Sequence, residues 1–393
     1  MKNVLIVATT SYAGMGPYTS EIVNSFHVED NVFFFFVDDV DKYYLKNIKE
    51  ELRLNSTFYS YKNSAWHKLL NLITYRTPYN KNILKLCRDK QIKVVHYIND
   101  VCPIQMKKRL ESMGINVWST VHDLHPHEVR KAWYKVLRHK LGTHKQNQNF
   151  NKCQNIITNS LVQYDEIRKM FPNKTVVYHS FPSLVTSIVA NGQMKTAEIA
   201  NIQKPYILFF GRIEEYKGIA LLYEAFSRMQ NTNHILVIAG SGELPQQVKP
   251  ISNRIIIINR YIADEEIRNL YKGAACVVYP YYSATQSGVL SLAFYFETPV
   301  ICSDIPFFKT IIEKSKGGIL FENGNVEDLK DKLTTFVAQG NHDKMCTCGR
   351  KYYDKNYDAS AIRTALLTIY GGGNFKLKNN KNGIIKTREE MNE

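Results

Sequence analysis

The chain has 393 residues, of which 44% are hydrophobic and 22% are charged, and its formal net charge is +15. This length predicts two domains of an ordinary globular protein, and no apolar run reaches the roughly 18 residues that a membrane-spanning helix needs. The positive charge indicates an anionic partner, that is, a nucleic acid, an acidic membrane surface or a phosphorylated substrate.

Short apolar runs alternate with helical patterns along most of the chain. The predicted strands are 3–8, 32–37, 94–98, 117–121, 156–158 and 176–178 in the first half, and 206–210, 234–238, 255–258, 276–279, 300–302 and 318–320 in the second. Continuous apolar strands that alternate with helices are typical of parallel sheets covered on both faces. Two such series predict two Rossmann-like domains.

The predicted domain boundary lies in a polar stretch without periodicity that precedes the strand at 206. We expect an N-terminal domain over 1–185 and a C-terminal domain over 186–351. Residues 352–370 are predicted to form a last helix, which could cross back to the N-terminal domain. The glycines that follow end this helix, and 371–393 reads as a flexible basic tail.

The cysteines predict reduced thiols in a cytoplasmic protein. There are seven of them: Cys87, Cys102, Cys153, Cys276, Cys302, Cys346 and Cys348. An odd number at irregular spacings does not fit a disulfide framework. The last two form a Cys-x-Cys pair with no second pair elsewhere, so we predict no metal site from them.

A turn containing two glycines follows the first predicted strand. Gly14 and Gly16 lie in a segment that is similar to a nucleotide-binding glycine loop but lacks the full G-x-G-x-x-G spacing. The spacing is therefore weak evidence when taken alone. We predict a supporting role for these glycines at a phosphate group that is bound mainly by the other domain.

Three histidines and two carboxylates lie together over 120–128, at the end of a strand. Such a group invites a metal interpretation. However, His125 and His127 flank a proline and the cluster is entirely local, so we predict no metal. For His122 at the strand end, one interpretation is a neutral histidine at the edge of the core.

Residues 130–152 carry seven Lys or Arg residues and no acidic residue. Trp133 and several aliphatic residues fall on one helical face, and basic residues fall on another. A basic amphipathic helix with an interfacial aromatic residue is suited to an anionic bilayer. We predict a peripheral membrane contact here, the alternative being an ordinary surface helix docked on its own domain.

An arginine and a lysine lie five residues apart after the strand at 206–210. Arg212 and Lys217 follow Gly211 in a strand-to-helix turn, where both side chains can converge on one anion. In an enclosed site such charges stabilise developing negative charge far more than they do in water. The alternative is a solvated loop with incidental charges.

A second strand-to-helix turn is built from small residues. Its predicted ligand-binding residues are Gln286, Ser287, Gly288 and Val289, because small residues let a ligand approach the backbone and the N–H groups at a helix start can hold a phosphate. The alternative is a plain turn in which Ser287 caps the following helix.

Taken together, these segments resemble the retaining glycosyltransferases of the GT-B fold, in the group called family four or group 1. Gly211 and Arg212 with Lys217 match the diphosphate-binding residues of that family. The resemblance also places a glycine loop at Gly14 and Gly16, a histidine beside the donor sugar at His122, and nucleobase contacts near Tyr261. It covers nearly the whole chain and is strongest from 206 to 320.

Two glutamates that the family usually carries are absent. Counted back from Pro299, they fall on Ala284 and Leu292, and the usual glycine before the proline is Glu297. In the family these glutamates hold the donor sugar and the ribose. The stretch from 284 to 289 is similar to a variant within the same group, from which Ser287–Val289 are carried over as contacts to the phosphate or sugar.

The resemblance implies an α/β chain of the GT-B type, with two Rossmann-like domains whose parallel sheets face each other across a cleft. It implies transfer of a sugar from a nucleotide-diphosphate sugar to a hydroxyl of a glycan or lipid-linked acceptor, with retention of configuration. The expected role is bacterial surface-polysaccharide biosynthesis at the cytosolic face of the inner membrane. No metal or other cofactor is expected, because Arg212 and Lys217 perform the cation's task.

Two other functions fit the sequence. A catalytically degenerate protein on the same fold, which binds sugar nucleotides or glycans, is motivated by Ala284 and Leu292. A nucleic-acid binder is motivated by the charge of +15, but no known nucleic-acid module is present in the sequence and we expect no such partner.

Overall fold

In the computed structural model the chain folds into two compact α/β units. The structure describes residues 2–12, 14–38, 42–60, 78–122, 124, 147–230, 232–251, 254–284 and 287–372. One unit contains the described residues up to 182 together with those from 359 onward, and the other contains 183–358. Each unit is built on one parallel sheet.

The sheet of the first unit has seven strands in the order β3-β2-β1-β4-β5-β6-β7. They are β1 (Val4–Ala8), β2 (Val32–Asp38), β3 (Ser56–Ser60), β4 (Val94–Tyr97), β5 (Asn116–Val121), β6 (Asn155–Thr158) and β7 (Thr175–Tyr178). The central strand β1 is buried along its whole length. This is why it reads as a continuous apolar run, since both faces of a parallel sheet are covered.

The sheet of the second unit has six strands in the order β10-β9-β8-β11-β12-β13. They are β8 (Tyr206–Phe210), β9 (Ile235–Ala239), β10 (Ile255–Ile258), β11 (Ala274–Tyr279), β12 (Val300–Ser303) and β13 (Gly318–Phe321). The core of this unit contains β8, β9 and β11 together with the apolar faces of the covering helices.

Helices follow most strands, as a doubly wound α/β topology requires. In the first unit they are α1 (Met15–Asn24), α2 (Tyr43–Asn47), α3 (Glu50–Arg53), α4 (Asn80–Asp89), α5 (Ile104–Ser112) and α6 (Leu161–Met170). In the second they are α7 (Ser187–Asn191), α8 (Ile219–Arg228), α9 (Asp264–Lys272), α10 (Val289–Tyr295), α11 (Pro306–Ser315), α12 (Val326–Gln339) and α13 (Asp343–Asn356). The last helix, α14 (Ala359–Gly371), returns to the first unit. None of the described helices is long and apolar enough to cross a membrane.

The predicted fold class and all twelve predicted strands are confirmed, with strand ends shifted by at most two residues. The prediction missed β3, which is an edge strand with no buried residue and therefore no apolar run. The single helix expected over 352–370 is wrong, because two helices, α13 and α14, meet at Tyr357 and Asp358. All seven cysteines are free.

A buried ion pair and a buried hydrogen bond attach α14 to the first unit. Arg363 donates two hydrogen bonds to the carboxylate of Asp30, one of them with a length of 2.7 Å from Nε. The hydroxyl oxygen of Tyr370 lies 2.7 Å from Nδ1 of the fully buried His96. Burial opposes ionisation of Asp30, but the hydrogen bonds from Arg363 and from the backbone of His27 hold its pKa below the ordinary value.

Replacing Arg363 with leucine is expected to lower the free energy of unfolding by about 2–4 kcal/mol, because Asp30 would be left buried without its cation. Since the pKa of Asp30 is lower in the folded protein, the pair stabilises above the pKa of the unfolded state, and this stabilisation is lost as the pH falls through the folded pKa. Urea unfolding at pH 7 and at pH 2, which lies well below the ordinary carboxyl pKa, measures both effects. An equal loss of stability at the two pH values would contradict the assignment.

Candidate active site

The turn that follows β8 lies near the middle of the second sheet. β8 pairs with β9 on one side and with β11 on the other. In open α/β sheets ligands bind beyond the carboxyl ends of such strands. The turn continues through a short 3-10 segment, Glu215–Lys217, into α8. Lys217 and Arg212 therefore lie where the fold class places its ligand.

Lys217 is a buried lysine, with only 8% of its surface exposed. Its ammonium nitrogen lies 5.6 Å from the ring centre of Tyr281 and 5.8 Å from that of Tyr216. Among the described residues, no carboxylate pairs with this nitrogen within 4 Å. Burial lowers the pKa of Lys217 to about 8, with Glu214 opposing that shift and Arg212 adding to it. The two aromatic rings interact favourably with this buried cation, but without a carboxylate within 4 Å the cost of its desolvation is not fully compensated.

Gly211 leaves open the space in front of this ammonium group. Its φ of +137° suits glycine, and a Cβ at this position would lie 3.3 Å from Nζ of Lys217. Any larger residue would therefore occupy the space that a ligand of Lys217 needs. The presence of glycine here follows from both the backbone conformation and the free volume.

Arg212 is more exposed than Lys217 and already has a partner. Its side chain is 39% exposed, and Nη2 lies 2.8 Å from Oε1 of Glu214. The guanidinium is nevertheless close enough to Lys217 to lower the pKa of that lysine. The two cations are thus near each other in this turn, and Glu214 partly neutralises Arg212.

The turn after β11 is joined directly to this turn. The backbone N–H of Tyr282 donates to the carbonyl of Tyr216 over 2.8 Å. Gly218 has a φ of +66°, and a Cβ there would lie 1.9 Å from the carbonyl oxygen of Pro280, so only glycine permits this approach. The two turns are therefore in contact beyond the carboxyl ends of β8 and β11.

Residues 287–289 lead into α10, but Ser287 does not cap this helix. The residue that caps the helix is Gly288, which is buried and offers no side chain, and not Ser287. Ser287 is half-buried. Val289 is the first residue of α10. Gln286 lies outside the described residues.

The two positions where the family resemblance expects glutamates are apolar in different ways. Leu292 is 3% exposed and belongs to the core of the second unit. Ala284 is partly buried and packs against the same core. A carboxylate at position 292 would need a buried partner, whereas Leu292 fits this apolar environment.

Tyr261 follows the edge strand β10, two strands away from β8. Its side chain is 63% exposed, and its hydroxyl donates to Asp264 over 3.2 Å. Its neighbour Arg260 is engaged in ion pairs with Glu198 and Glu266. Tyr261 thus presents an accessible ring after the edge strand β10. Its contact with a nucleobase stays a prediction.

In the first unit, Gly14 and Gly16 follow β1 and His122 follows β5, and β4 lies between these two strands. Gly14 precedes α1 with no atom near its missing Cβ, whereas a Cβ on Gly16 would lie 2.6 Å from the ring of Tyr43. Gly16 is therefore required for packing, independently of any ligand. No described group of three or more His, Cys, Asp or Glu residues could hold a metal ion.

His122 is half-buried after β5 and is fixed on two sides. Its Nε2 donates to the carbonyl of Ile98 over 3.0 Å, so this nitrogen carries a proton. The ring of Tyr18 meets it edge-on, with ring centres 4.7 Å apart. The other histidines of this cluster and nearly all of 130–152 lie outside the described residues.

Sequence reasoning missed one residue of the site, Tyr281. An aromatic residue just after a strand reads as core, and Tyr281 does pack in the core. The property that singles it out is the position of its hydroxyl group relative to Gly211 and Lys217, which depends on the tertiary structure.

The chain is similar to several known proteins. Residues 193–351 match the family model of the glycosyl transferases group 1. D-inositol 3-phosphate glycosyltransferase from Xylanimonas cellulosilytica is 19% identical over 177 residues, which is 43% of this chain and 42% of that protein. The chain is thus matched to less than half the length of this relative.

Two solved structures show the same fold over nearly the whole chain. A glycosyltransferase from Rickettsia africae has a TM-score of 0.65 at 14% identity, with 94% of this chain and 98% of that chain covered. The Anabaena protein Alr3699/HepE, in complex with UDP and glucose, has a TM-score of 0.63 at 13% identity, with 94% and 100% covered. Residues 193–351, which lie within the second unit, thus match the group 1 family model, and the chain as a whole has the two-sheet fold of the GT-B glycosyltransferases.

Proposed function

We propose that this protein transfers a sugar from a nucleotide-diphosphate sugar to a hydroxyl group of an acceptor. The observation that carries the proposal is the buried ammonium of Lys217, which faces the space in front of Gly211 without an anion among the described residues. A diphosphate is an anion of the right kind to fill that space. The match of 193–351 to the group 1 family supports the same chemistry.

In the proposed reaction the bond between the anomeric carbon and the terminal phosphate oxygen breaks, and its electron pair leaves with the diphosphate. Lys217 and Arg212 stabilise this developing charge. The acceptor oxygen forms the new bond to the anomeric carbon, and its proton passes to the departing phosphate oxygen. Retention of configuration is proposed from the family resemblance, and it needs no carboxylate nucleophile at Ala284 or Leu292.

The other residues have positioning roles in this proposal. The backbones of Gly16 and of Ser287–Val289 hold the donor, and Tyr261 contacts its base. His122 orients the donor sugar or the acceptor. No metal is required, because the two cationic side chains supply the positive charge.

We propose a glycan or lipid-linked acceptor at a cytosolic membrane face, in the synthesis of a bacterial surface polysaccharide. The net charge of +15 and the seven basic residues in 130–152 support a contact with anionic lipid. Cosedimentation with vesicles that contain anionic phospholipid, compared with neutral vesicles, tests this part separately from the chemistry.

A catalytically degenerate binding protein is the second candidate, favoured by the apolar residues at 284 and 292. Calorimetry with a panel of sugar nucleotides, followed by a test for release of nucleoside diphosphate in the presence of an acceptor, separates the two candidates. Binding with release supports the transferase. Binding without release for every donor and acceptor supports the degenerate protein.

The affinity for UDP is expected to fall as the pH rises through about 8. The pKa of Lys217 is lowered to about 8 in the free protein, and a bound anion stabilises its charged form. The favourable charge is therefore present below pH 8 and is lost above it, with up to tenfold weaker binding per pH unit.

Calorimetric titrations between pH 6.5 and 9 measure this dependence, and Lys217→Met provides the control because it has no titrating group at this position. A wild-type profile parallel to that of the variant would contradict the assignment.

A further inference from the structure

The hydroxyl group of Tyr281 has no hydrogen-bond partner among the described residues, although it is fully buried. Tyr281 is 2% exposed, and its ring packs against Tyr216, Tyr279 and Phe308. A buried hydroxyl without a partner is destabilising, and native structures contain few of them. The orphan hydroxyl therefore requires an explanation.

Neighbouring tyrosines show what a satisfied hydroxyl looks like in this core. The hydroxyl groups of Tyr271 and Tyr279 lie 2.9 Å apart and share a hydrogen bond. Tyr279 also donates to the carbonyl of Val289 over 3.2 Å. Tyr271, like Tyr281, is fully buried. The difference between Tyr281 and these residues is thus its missing partner, not its burial.

The unpaired hydroxyl lies beside the space in front of Gly211. Its oxygen is 3.9 Å from the point that a Cβ on Gly211 would occupy, and Nζ of Lys217 is 3.3 Å from the same point. The Ser287 side chain is near enough to lower the pKa of Tyr281 but makes no hydrogen bond of acceptable geometry with it. A phenol and an ammonium group thus face one small volume.

Charge and protonation determine which ligand suits that volume. Burial raises the pKa of Tyr281 well above its ordinary value, so the group is a neutral phenol that can donate a hydrogen bond. Lys217 contributes a second donor and a positive charge. Two donors around one point suit an oxygen with negative charge, such as a phosphate oxygen.

We propose that the hydroxyl of Tyr281 donates a hydrogen bond to the same terminal phosphate group of the donor that Lys217 binds. This inference rests on the proposed function, because it takes the ligand to be a nucleoside diphosphate. It adds a ligand-binding residue that the sequence motifs do not contain. It also explains the orphan hydroxyl, which is preorganised for a ligand oxygen.

The test is Tyr281→Phe, which removes one oxygen atom and keeps the ring beneath Lys217. The affinity for UDP and for inorganic pyrophosphate is expected to fall about ten- to a hundredfold, the effect of one hydrogen bond to a charged group. The melting temperature without ligand is expected to stay the same or to rise, because no protein hydrogen bond is lost. Calorimetry and thermal unfolding measure the two effects.

Tyr271→Phe is the matched control, since it also removes a buried hydroxyl from this core. Its hydroxyl is bonded to Tyr279, so we expect a lower melting temperature and unchanged affinity for UDP. The inference is wrong if Tyr281→Phe binds UDP and pyrophosphate as tightly as the wild type, or if it loses as much thermal stability as Tyr271→Phe.

Titration of the wild type distinguishes failure of the Tyr281 inference from failure of the proposed function. If the unmodified protein binds neither UDP nor any other nucleoside diphosphate of a panel, the proposed function and this inference both fail. If it binds one of them and Tyr281→Phe binds it equally well, the role of Tyr281 alone is overturned.

Discussion

Replacement of Lys217 with methionine is expected to lower the rate of sugar transfer by about two to three orders of magnitude, the effect of removing a preorganised charge partner from an enclosed site. The same substitution is expected to raise the free energy of unfolding by about 1–3 kcal/mol. Lys217 is 8% exposed and its pKa is lowered to about 8, so folding carries the cost of burying its charge. Methionine fills a similar volume without that cost.

Opposite changes in activity and stability are the signature of this prediction. A residue that served only to hold the turn would lose both together, whereas a residue that serves a ligand keeps a destabilising group for its function. Lys309→Met is a suitable control, because Lys309 is exposed on α11 and this variant has the same net charge as Lys217→Met. Near-normal transfer by Lys217→Met would reject the role of this lysine.

Replacement of Arg212 with alanine is expected to lower turnover by about two orders of magnitude. The reason differs in part from that for Lys217, because Arg212 is paired with Glu214 and partly exposed in the free protein. Loss of the guanidinium leaves the Glu214 carboxylate near the phosphate site without a partner. It also removes a charge that lowers the pKa of Lys217, so that pKa is expected to rise in this variant.

Two further variants separate charge from geometry at Arg212. Arg212→Lys keeps the positive charge but loses the planar pair of donors, and an intermediate rate is expected. Glu214→Gln removes this ion pair and keeps the guanidinium of Arg212 at the site, so we expect little loss of turnover. If Glu214→Gln and Arg212→Ala were equally impaired, Arg212 would act only by holding the turn.

The strands of both sheets were predictable because they are buried on both faces. β1 and β9 consist entirely of buried apolar residues, and such runs are recognisable without any knowledge of their neighbours. β3 has no such run, because it lies at the edge of its sheet and exposes two of its five residues. Its place in the sheet depends on pairing with β2, which is a tertiary property.

The join between α13 and α14 was not predictable from periodicity alone. The apolar positions Ile362, Leu366 and Ile369 of α14 are buried in the structure. The change of unit between Asp358 and Ala359 leaves little trace in the sequence. Contacts such as that between Arg363 and Asp30 join residues more than 300 positions apart.

The candidate site was predictable where it depends on local spacing. The five-residue spacing of Arg212 and Lys217, placed between a strand and a helix, indicated an anion site, and the structure brings both cations to one turn. The burial of Lys217, the pairing of Arg212 with Glu214 and the orphan hydroxyl of Tyr281 arise from packing between separate segments. These features determine which side chains are available to a ligand at this turn.

The most direct test of the central claim is a calorimetric titration of UDP into the wild type and into the double variant Arg212→Ala/Lys217→Met at pH 7. If the two cations hold the diphosphate, the double variant should bind at least a hundredfold more weakly while it remains folded. Equal affinity in the two proteins would show that the diphosphate does not bind at this turn, and it would contradict the assignment of the site.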